Sequence, residues 1–508
     1  MYIWSHGNIL PKLFIITPMK KHIVAMTALL SVGSLWSQQK KIDYVEYDLP
    51  NGLHVILHEE HTVPIVAVSI MYHVGSKNEK SDRTGFAHFF EHLLFEGSSN
   101  IKRGEYAQIV EKNGGTLNAN TSQDRTYYYE IMPSNQVELG LWLESERLLH
   151  ARVDKTGIET QRQVVKEEKR QSVDNQPYAS FLANMSSRVF KKHPYNWVPI
   201  GAMEHLDAAQ EEDYVNFYRT FYVPSNAVLS IAGDINIEET KKMIEKYFGS
   251  IPKGQGINMY RDFENLSDEA FITKYGVAKT LFTSTNFLKP TEPAAIKALQ
   301  KQLATSTIIP KPSVIEEPIK GQQVDTIYDN IQLPGIFMGY RFPAQNDLDY
   351  PAIEVLNTIL SEGASSRMNK NIVEKKQLAV EAFSFGMKSE DPGLGVVATI
   401  ASDKVDLKLL QEAMDEEIAR IQNELVSPEE LQKVINQYEN TIVSSNSSVA
   451  GIAENLADNF MYRKSTALIN KQLSAYLTIT REDIQRVAKK YLTKDSRVVL
   501  IYLPKSSN

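Results

Sequence analysis

The chain of 508 residues contains no cysteine. This absence excludes disulfide bridges, thiolate zinc sites and cysteine nucleophiles, so histidine and carboxylate side chains would have to hold any metal. Positive charge is not in excess either, because the net charge is −7. That balance gives no electrostatic indication of nucleic-acid binding, which calls for a basic surface. Histidine is scarce, and all 11 lie at or before His205, which confines imidazole-based metal chemistry to the first half.

Long apolar runs are absent except near the N-terminus. The segment that starts near Met19 has two lysines, an apolar run from Ile23 to Leu35 and small residues after it, which is typical of a secretory signal peptide. The run is too short to span a bilayer, and the first arginine is Arg83, unlike an arginine-rich mitochondrial presequence. We therefore expect residues 1–37 to be an upstream segment and signal peptide, and the mature protein to be secreted or periplasmic. The alternative is an uncleaved leader that anchors the chain.

The length exceeds what one hydrophobic core usually supports, which favours two or more domains. Alternating and helical patterns predict one α+β unit over residues 38–254 and another over 313–508, joined by a linker or inserted segment at 255–312. The strands predicted in the second unit are "GIFMGYRFP", "GLGVVATIAS" and "SRVVLIYLP". The two units look like copies, because "HLLFEGSS" in the first can be laid over "TILSEGAS" in the second. In that alignment the second unit has no histidine at the positions of His88 and His92.

The segment "TGFAHFFEHLLFEG" carries the strongest indication of chemistry. On a helix, His88 and His92 project from one face one turn apart, so both imidazoles can bind one ion. Glu91 lies at the edge of that face and can contact a water there without taking a coordination position. Two histidines and a glutamate are one common ligand set of catalytic zinc. The alternative is that the two histidines only pack on an apolar helix.

The chain resembles the pitrilysin/insulinase family of zinc peptidases, also called inverzincins after their H-x-x-E-H order. The resemblance spans nearly the whole mature chain. It is carried by "HFFEHLLFEG", "GGTLNANTSQDRTYYYEIMP", "RQVVKEEKRQ", "HPYNWVPIGAMEHL", "FYRTFYVPSNAVLSIAGDI" and "SRVVLIYLP". It is strongest to the two-domain bacterial type, which is similar to the beta subunit of the mitochondrial processing peptidase. The resemblance implies an α+β fold of two homologous metallopeptidase domains, each a mixed β-sheet with helices on one side, that enclose a chamber.

The resemblance also implies which residues act. One Zn²⁺ per chain would be held by His88, His92 and a glutamate on a separate helix. Glu168 fits that third position, with 75 residues between it and His92. The adjacent Glu167 is the alternative, since neighbouring helix positions point about 100° apart and only one can face the ion. Glu91 would activate water for hydrolysis of a peptide bond.

Substrate binding is implied at "NAN", Asn118, Ala119 and Asn120, where the family adds the peptide as a β-strand. Because strand addition relies on backbone hydrogen bonds, this chain would accept peptides or unfolded segments of varied sequence. Asn120 stands where some relatives have an aromatic residue, which argues against a strongly hydrophobic preference there. The alternative is that this segment is an ordinary polar strand without a role in binding.

The chain departs from the family pattern in both halves. Gln161 replaces a second glutamate near the metal, so we expect a changed metal affinity or rate. Val373 and Val380 replace an arginine and a tyrosine that help to hold the substrate and the oxyanion. The resemblance therefore implies the zinc-bearing half of a heterodimeric pair, with a related subunit supplying the Arg/Tyr pair. A different class of function, a non-catalytic chamber or assembly subunit that binds peptides, is the alternative.

Overall fold

The described part of the chain folds around two β-sheets, each built by one half of the sequence. The computed structural model describes residues 41–253, 263, 266–282, 292–304 and 314–505. The predicted upstream segment and signal peptide at 1–37 lie outside these residues, as does much of the predicted linker at 255–312. Within the described ranges, no helix combines the length and the apolar character needed to cross a membrane.

The first sheet has six strands in the order β1-β2-β6-β3-β5-β4. Only β2 and β6 run parallel, and β4 forms one edge by pairing with β5. The strands are β1 Val45–Asp48, β2 His54–Glu59, β3 Ile65–Tyr72, β4 Thr116–Thr121, β5 Thr126–Pro133 and β6 Ala227–Gly233.

The second sheet repeats this topology with five strands in the order β7-β11-β8-β10-β9. The parallel pair β7/β11 corresponds to β2/β6, and the edge strand β9 corresponds to β4. The strands are β7 Gln323–Asp329, β8 Gly335–Arg341, β9 Ala379–Gly386, β10 Leu394–Ala401 and β11 Arg497–Pro504. The expectation of two homologous α+β domains is therefore confirmed, although β7 and β9 were not among the predicted strands.

Helices of the same half cover one face of each sheet. The helices of the first half are α1 Phe86–Leu93, α2 Glu105–Lys112, α3 Val137–His150, α4 Lys155–Lys169, α5 Phe181–Val189, α6 Met203–Ala208, α7 Glu211–Phe221 and α8 Ile237–Phe248. Between the halves lie α9 Asp268–Tyr275 and α10 Pro293–Ala304. In the second half they are α11 Tyr350–Ser361, α12 Leu407–Asn423, α13 Pro428–Ser445, α14 Val449–Arg463, α15 Gln472–Leu477 and α16 Arg481–Tyr491. Phe89, Phe90 and Leu93 of α1 are fully buried in the first core, and this burial fixes α1 against the sheet.

The opposite face of each sheet is covered by a helix from the other half. Leu456 and its apolar neighbours on α14 pack with Ile56 and Met71 of the first sheet. In the reverse direction, Met185 on α5 packs with Phe337 and its neighbours on the second sheet. The two halves thus exchange helices, and each completes the core of the other.

Candidate metal centre

The helix α1 begins beside a buried carboxylate. Glu79 accepts hydrogen bonds from the backbone N–H groups of Gly85, at 2.9 Å, and Ala87, at 2.8 Å. The first N–H groups of a helix have no partner within the helix, so Glu79 caps α1 from six residues upstream. Burial raises the pKa of Glu79 to about 8, although these hydrogen bonds oppose the shift. Glu79 is not among the residues predicted from the sequence, because a lone glutamate in the polar stretch before the helix is its only signal there.

Three side chains from two helices lie together: His88 and His92 of α1, and Glu168 of α4. The Nε2 atoms of His88 and His92 lie 3.2 Å apart. Oε2 of Glu168, on α4, lies 3.4 Å from Nε2 of His88 and 3.1 Å from Nε2 of His92. Ligand atoms held about 2.0–2.2 Å from a tetrahedral zinc ion are separated by about 3.3 Å. The observed spacing therefore fits one ion bound by all three residues.

The ionisation of these ligands also suits a metal. Burial lowers the pKa of His92, which favours the neutral imidazole that ligates metals. The neighbouring His88 lowers the pKa of Glu168, which favours the carboxylate. The group of His88, His92 and Glu168 is the one cluster of at least three metal-binding side chains found within the residues that the structure describes.

Glu167, the alternative third ligand, points away from this cluster. Its carboxylate pairs with Arg170 and accepts a hydrogen bond from the side chain of Gln171 at 2.8 Å. Of these two adjacent glutamates on α4, Glu168 therefore faces the histidines and Glu167 does not.

Glu91 projects from α1 between the ligands and the edge strand. Burial raises its pKa, and the charge of Glu168 adds to the rise, whereas the nearby Thr121 side chain on β4 and the charge of His88 lower it. A carboxylate with a raised pKa is better suited to accept a proton near neutral pH and to release it later. The structure thus places Glu91 beside both the candidate ligands and the strand β4.

The predicted substrate-binding residues lie on β4, at the edge of the first sheet. Asn118 and Asn120 are exposed, whereas Ala119 is partly buried against the first core. The backbone N–H of Ala119 donates to the side chain of Asn118 at 2.8 Å. The edge therefore presents backbone groups along which another strand could align.

The positions that depart from the family pattern have different surroundings. Gln161 on α4 donates its side-chain amide to Glu96, which also pairs with Arg103 at 2.6 Å. Val380 is 54% exposed and lies where β9 bulges against β10. Val373, in contrast, packs partly buried against the second core.

Two lysines close to these valines, Lys375 and Lys376, have polar partners of their own. Lys376 pairs with Glu416 on α12, and Nζ of Lys375 donates to the side chain of Asn371 at 3.2 Å. Neither supplies the side chain that the family pattern has at Val373 or Val380.

The fold and this cluster define a two-domain α+β protein with a candidate metal centre in its first half. Two family models match it: "Insulinase (Peptidase family M16)" over residues 54–198 and "Peptidase M16 inactive domain" over residues 209–438. Together they span about three quarters of the chain. The chain belongs to the insulinase, or M16, family of peptidases.

Relatives match over nearly the full length. The "Zinc protease PqqE" of Helicobacter pylori is 27% identical over 490 residues, which covers 95% of this chain and 98% of the relative. A "probable mitochondrial-processing peptidase subunit beta" of Arabidopsis thaliana is 23% identical over 456 residues, 87% of this chain and 75% of the relative. The names of these relatives support a zinc-protease family for this chain.

Solved structures show the same fold. A protease from Helicobacter pylori superposes with a TM-score of 0.76 at 24% identity, covering 91% of this chain and 100% of the other. A "peptidase M16 inactive domain" from Pseudomonas fluorescens gives 0.72 at 16% identity, covering 92% and 99%. The periplasmic protease PqqL of Escherichia coli gives 0.64 at 18% identity, covering 91% of this chain and 48% of that one.

Proposed function

We propose that this protein is a zinc-dependent endopeptidase that hydrolyses peptides or unfolded segments. The observation that carries the proposal is the convergence of Nε2 of His88, Nε2 of His92 and Oε2 of Glu168 within 4.8 Å of one another. These three residues would hold one Zn²⁺ per chain, and the relatives named zinc proteases support that choice of metal. When bound, zinc would supply a Lewis acid that lowers the pKa of water and polarises a carbonyl group.

Glu91 is the group that moves the proton. It would remove a proton from the attacking water and later pass it to the leaving amine nitrogen, so that the peptide bond is replaced by a carboxylic acid and an amine. Its place on α1, next to His92 and packed against β4, supports both roles.

The substrate would bind in an extended conformation along β4. Asn118, Ala119 and Asn120 would align its backbone, and a docking strand would replace the bond between Ala119 N–H and the Asn118 side chain. The packing of α1 against β4 supports this arrangement, since it brings the proton-transferring group next to the strand.

A related subunit would complete the centre. Valine at 373 and 380 can donate no hydrogen bond, and the loss of one oxyanion donor typically costs about 10²–10³ in rate. We propose that a partner of the same family supplies the missing arginine and tyrosine. Because its N-terminus is typical of a signal peptide and a structural neighbour is a periplasmic protease, we propose that the protein works in the periplasm or outside the cell.

The proposal is tested by cleavage of a mixed peptide library with purified protein, alone and together with the product of an adjacent related gene. A chelator should abolish cleavage, and readdition of zinc should restore it. Glu91→Gln should retain zinc, measured by elemental analysis, yet lose turnover by about 10²–10⁴. Retained turnover in that variant would remove Glu91 from the mechanism, and full activity of the isolated wild-type chain would refute the need for a partner.

A non-catalytic subunit that binds peptides is the second candidate. Val373 and Val380 favour it, as does the name "inactive domain" of the family model that covers residues 209–438. In that case the protein would bind library peptides without cutting them, even with zinc and with the partner present.

A further inference from the structure

The turn between β4 and β5, residues 122–125, is buried in spite of its charged residues. Asp124 is 2% exposed, and the side chain of Arg125 is 14% exposed. Charged residues at the tip of a hairpin usually lie in solvent, where they keep their hydration. Burial of two opposite charges in one turn therefore calls for partners close by.

Asp124 is held by groups from both halves of the chain. Its Oδ1 lies 2.7 Å from Nζ of Lys77 and accepts a hydrogen bond from the hydroxyl of Tyr195 at 2.6 Å. Its Oδ2 accepts the backbone N–H of Glu390, in the second half, at 2.9 Å. Lys77 extends the connection, because its Nζ also lies 2.6 Å from Glu390 and 3.2 Å from Asp391.

The charge of Arg125 is paired with carboxylates of the second half. Its guanidinium pairs with Glu454 and lies 3.4 Å from Asp458, both on α14. The helix α14 is the one that covers the outer face of the first sheet. Consequently the two charged residues of the turn contact the second half at two separate places.

The same turn also contacts the segment that leads into α1. The backbone N–H of Ser76 donates to the carbonyl of Ser122 at 3.2 Å, and that of Lys77 donates to Gln123 at 3.0 Å. A Cβ atom on Gly75 would lie 2.4 Å from the carbonyl carbon of Gln123, so a glycine is needed for this close approach. The turn therefore joins β4, the start of the metal-binding region and the second half.

We propose that Asp124 and Arg125 are positioning residues that fix the end of the substrate-binding edge against the second half. The inference rests on the proposed function of β4. A docking strand forms several hydrogen bonds at once, and all of them require the edge to keep its place relative to the metal ligands and Glu91. Since a misplacement of about 1 Å can cost about 10²-fold in rate, anchoring of the turn would control how productively a peptide docks.

Variants on α14 test this without changing any residue of the metal centre. Glu454→Gln removes one partner of Arg125 but leaves Asp458, so it is the mildest change. We expect KM to rise about tenfold with little change in kcat, and zinc content to stay at one ion per chain. Hydrogen–deuterium exchange of the backbone amides in 116–121 should become faster. Glu416→Gln, which removes an exposed carboxylate paired with Lys376 and Arg420, is the matched control. It should change neither KM nor the exchange of the amides in 116–121.

A double-mutant cycle that combines Arg125→Gln with Glu454→Gln distinguishes an effect on the position of β4 from an effect on overall stability. If Arg125 and Glu454 act through each other, the double variant should raise KM no more than the larger single variant. A merely structural role would lower the melting temperature and the active fraction, leaving KM and the exchange of β4 unchanged in the folded protein. That result would overturn the inference.

Failure of the proposed function has a different outcome. Zinc-loaded wild-type protein with its partner would then cleave nothing, whereas the exchange of β4 amides would still report on the anchoring. Unchanged exchange in Glu454→Gln and in Arg125→Gln would refute the inference whether or not the protein is a peptidase.

Discussion

The side-chain amide of Gln161 donates to the carboxylate of Glu96, so residue 161 is bonded to the segment that follows α1. Gln161→Glu would put a second carboxylate against Glu96, whose side chain is 7% exposed. Two carboxylates in contact raise the pKa of one of them. A raised pKa in the folded state favours stability at low pH, and this stability is lost as the pH rises.

We therefore expect Gln161→Glu to lower the melting temperature more at pH 8 than at pH 5, by an amount equivalent to about 1–2 kcal/mol. Thermal denaturation at the two pH values measures it. Gln163→Glu, an exposed position on the same helix, is the control and should show no such difference. A gain in zinc affinity of the Gln161→Glu variant without any loss of stability would contradict this assignment of residue 161.

The neighbours Glu168 and Glu167 offer a matched pair for the metal site. Glu168→Gln removes a candidate ligand, and we expect it to weaken zinc binding by more than the roughly 10- to 100-fold that follows loss of an outer-shell partner. Glu167→Gln removes the same charge one residue away and should leave the affinity unchanged. Competition titration with a zinc-binding dye measures both. Equal affinities of the two variants would exclude Glu168 as a ligand.

Glu79 predicts a pH-dependent stability. Its pKa in the folded state is about 8, against 4.5 for an ordinary glutamate, so the folded protein holds a proton that the unfolded chain releases between these values. Stability from this group is therefore fully present below about pH 4.5 and is lost as the pH rises to about 8, by at most about 1.4 kcal/mol per pH unit.

Glu79→Gln removes this titration. Denaturation of the metal-free protein, followed from pH 5 to 9, should show that the stability of the wild type relative to Glu79→Gln falls with pH and levels off above about 8. Chelation of the metal keeps zinc linkage out of the comparison. A difference that does not depend on pH would mean that Glu79 is ionised throughout this range.

A tyrosine at position 380 would restore one of the hydrogen-bond donors to the oxyanion that valine cannot supply. It is exposed on the bulge of β9, so Val380→Tyr should change stability by no more than about 0.5 kcal/mol. Val373→Arg would bring a charge against the second core and should cost more, about 1–3 kcal/mol. If the tyrosine hydroxyl stabilises the oxyanion, kcat/KM of the isolated chain should rise by up to about 10². Val380→Phe, which has the ring without the hydroxyl, should give no rise.

Part of this structure could be predicted from local sequence patterns. The spacing of His88 and His92 puts both imidazoles on one face of a helix in any fold, so the sequence alone could predict their pairing. The pairing with Glu168 depends on how distant helices pack, and periodicity does not encode that. It followed from the family resemblance, and the structure has Oε2 of Glu168 at 3.1 Å from Nε2 of His92. The edge strand β7 was missed because most of its residues are exposed, which leaves no apolar alternation to detect.

Contacts between the halves were beyond prediction from the sequence. The apolar face of α14 indicates that the helix is covered, but not that the covering sheet belongs to the other half. Asp124 and Arg125 are charged and lie in a turn, a pattern that favours exposure. Part of what holds each of them is more than 260 positions away, Glu390 for Asp124 and Glu454 for Arg125.

The exchange of α5 and α14 between the halves bears on how copies of this protein can associate. Each sheet would be left with a bare apolar face if its half were produced alone, so we expect the separate halves to aggregate. Two chains could instead trade whole halves and bury the same surfaces as before, with each metal centre still built from a single first half. Such a swapped dimer would have the same core contacts as the monomer, and protein concentration during folding would decide which of the two forms.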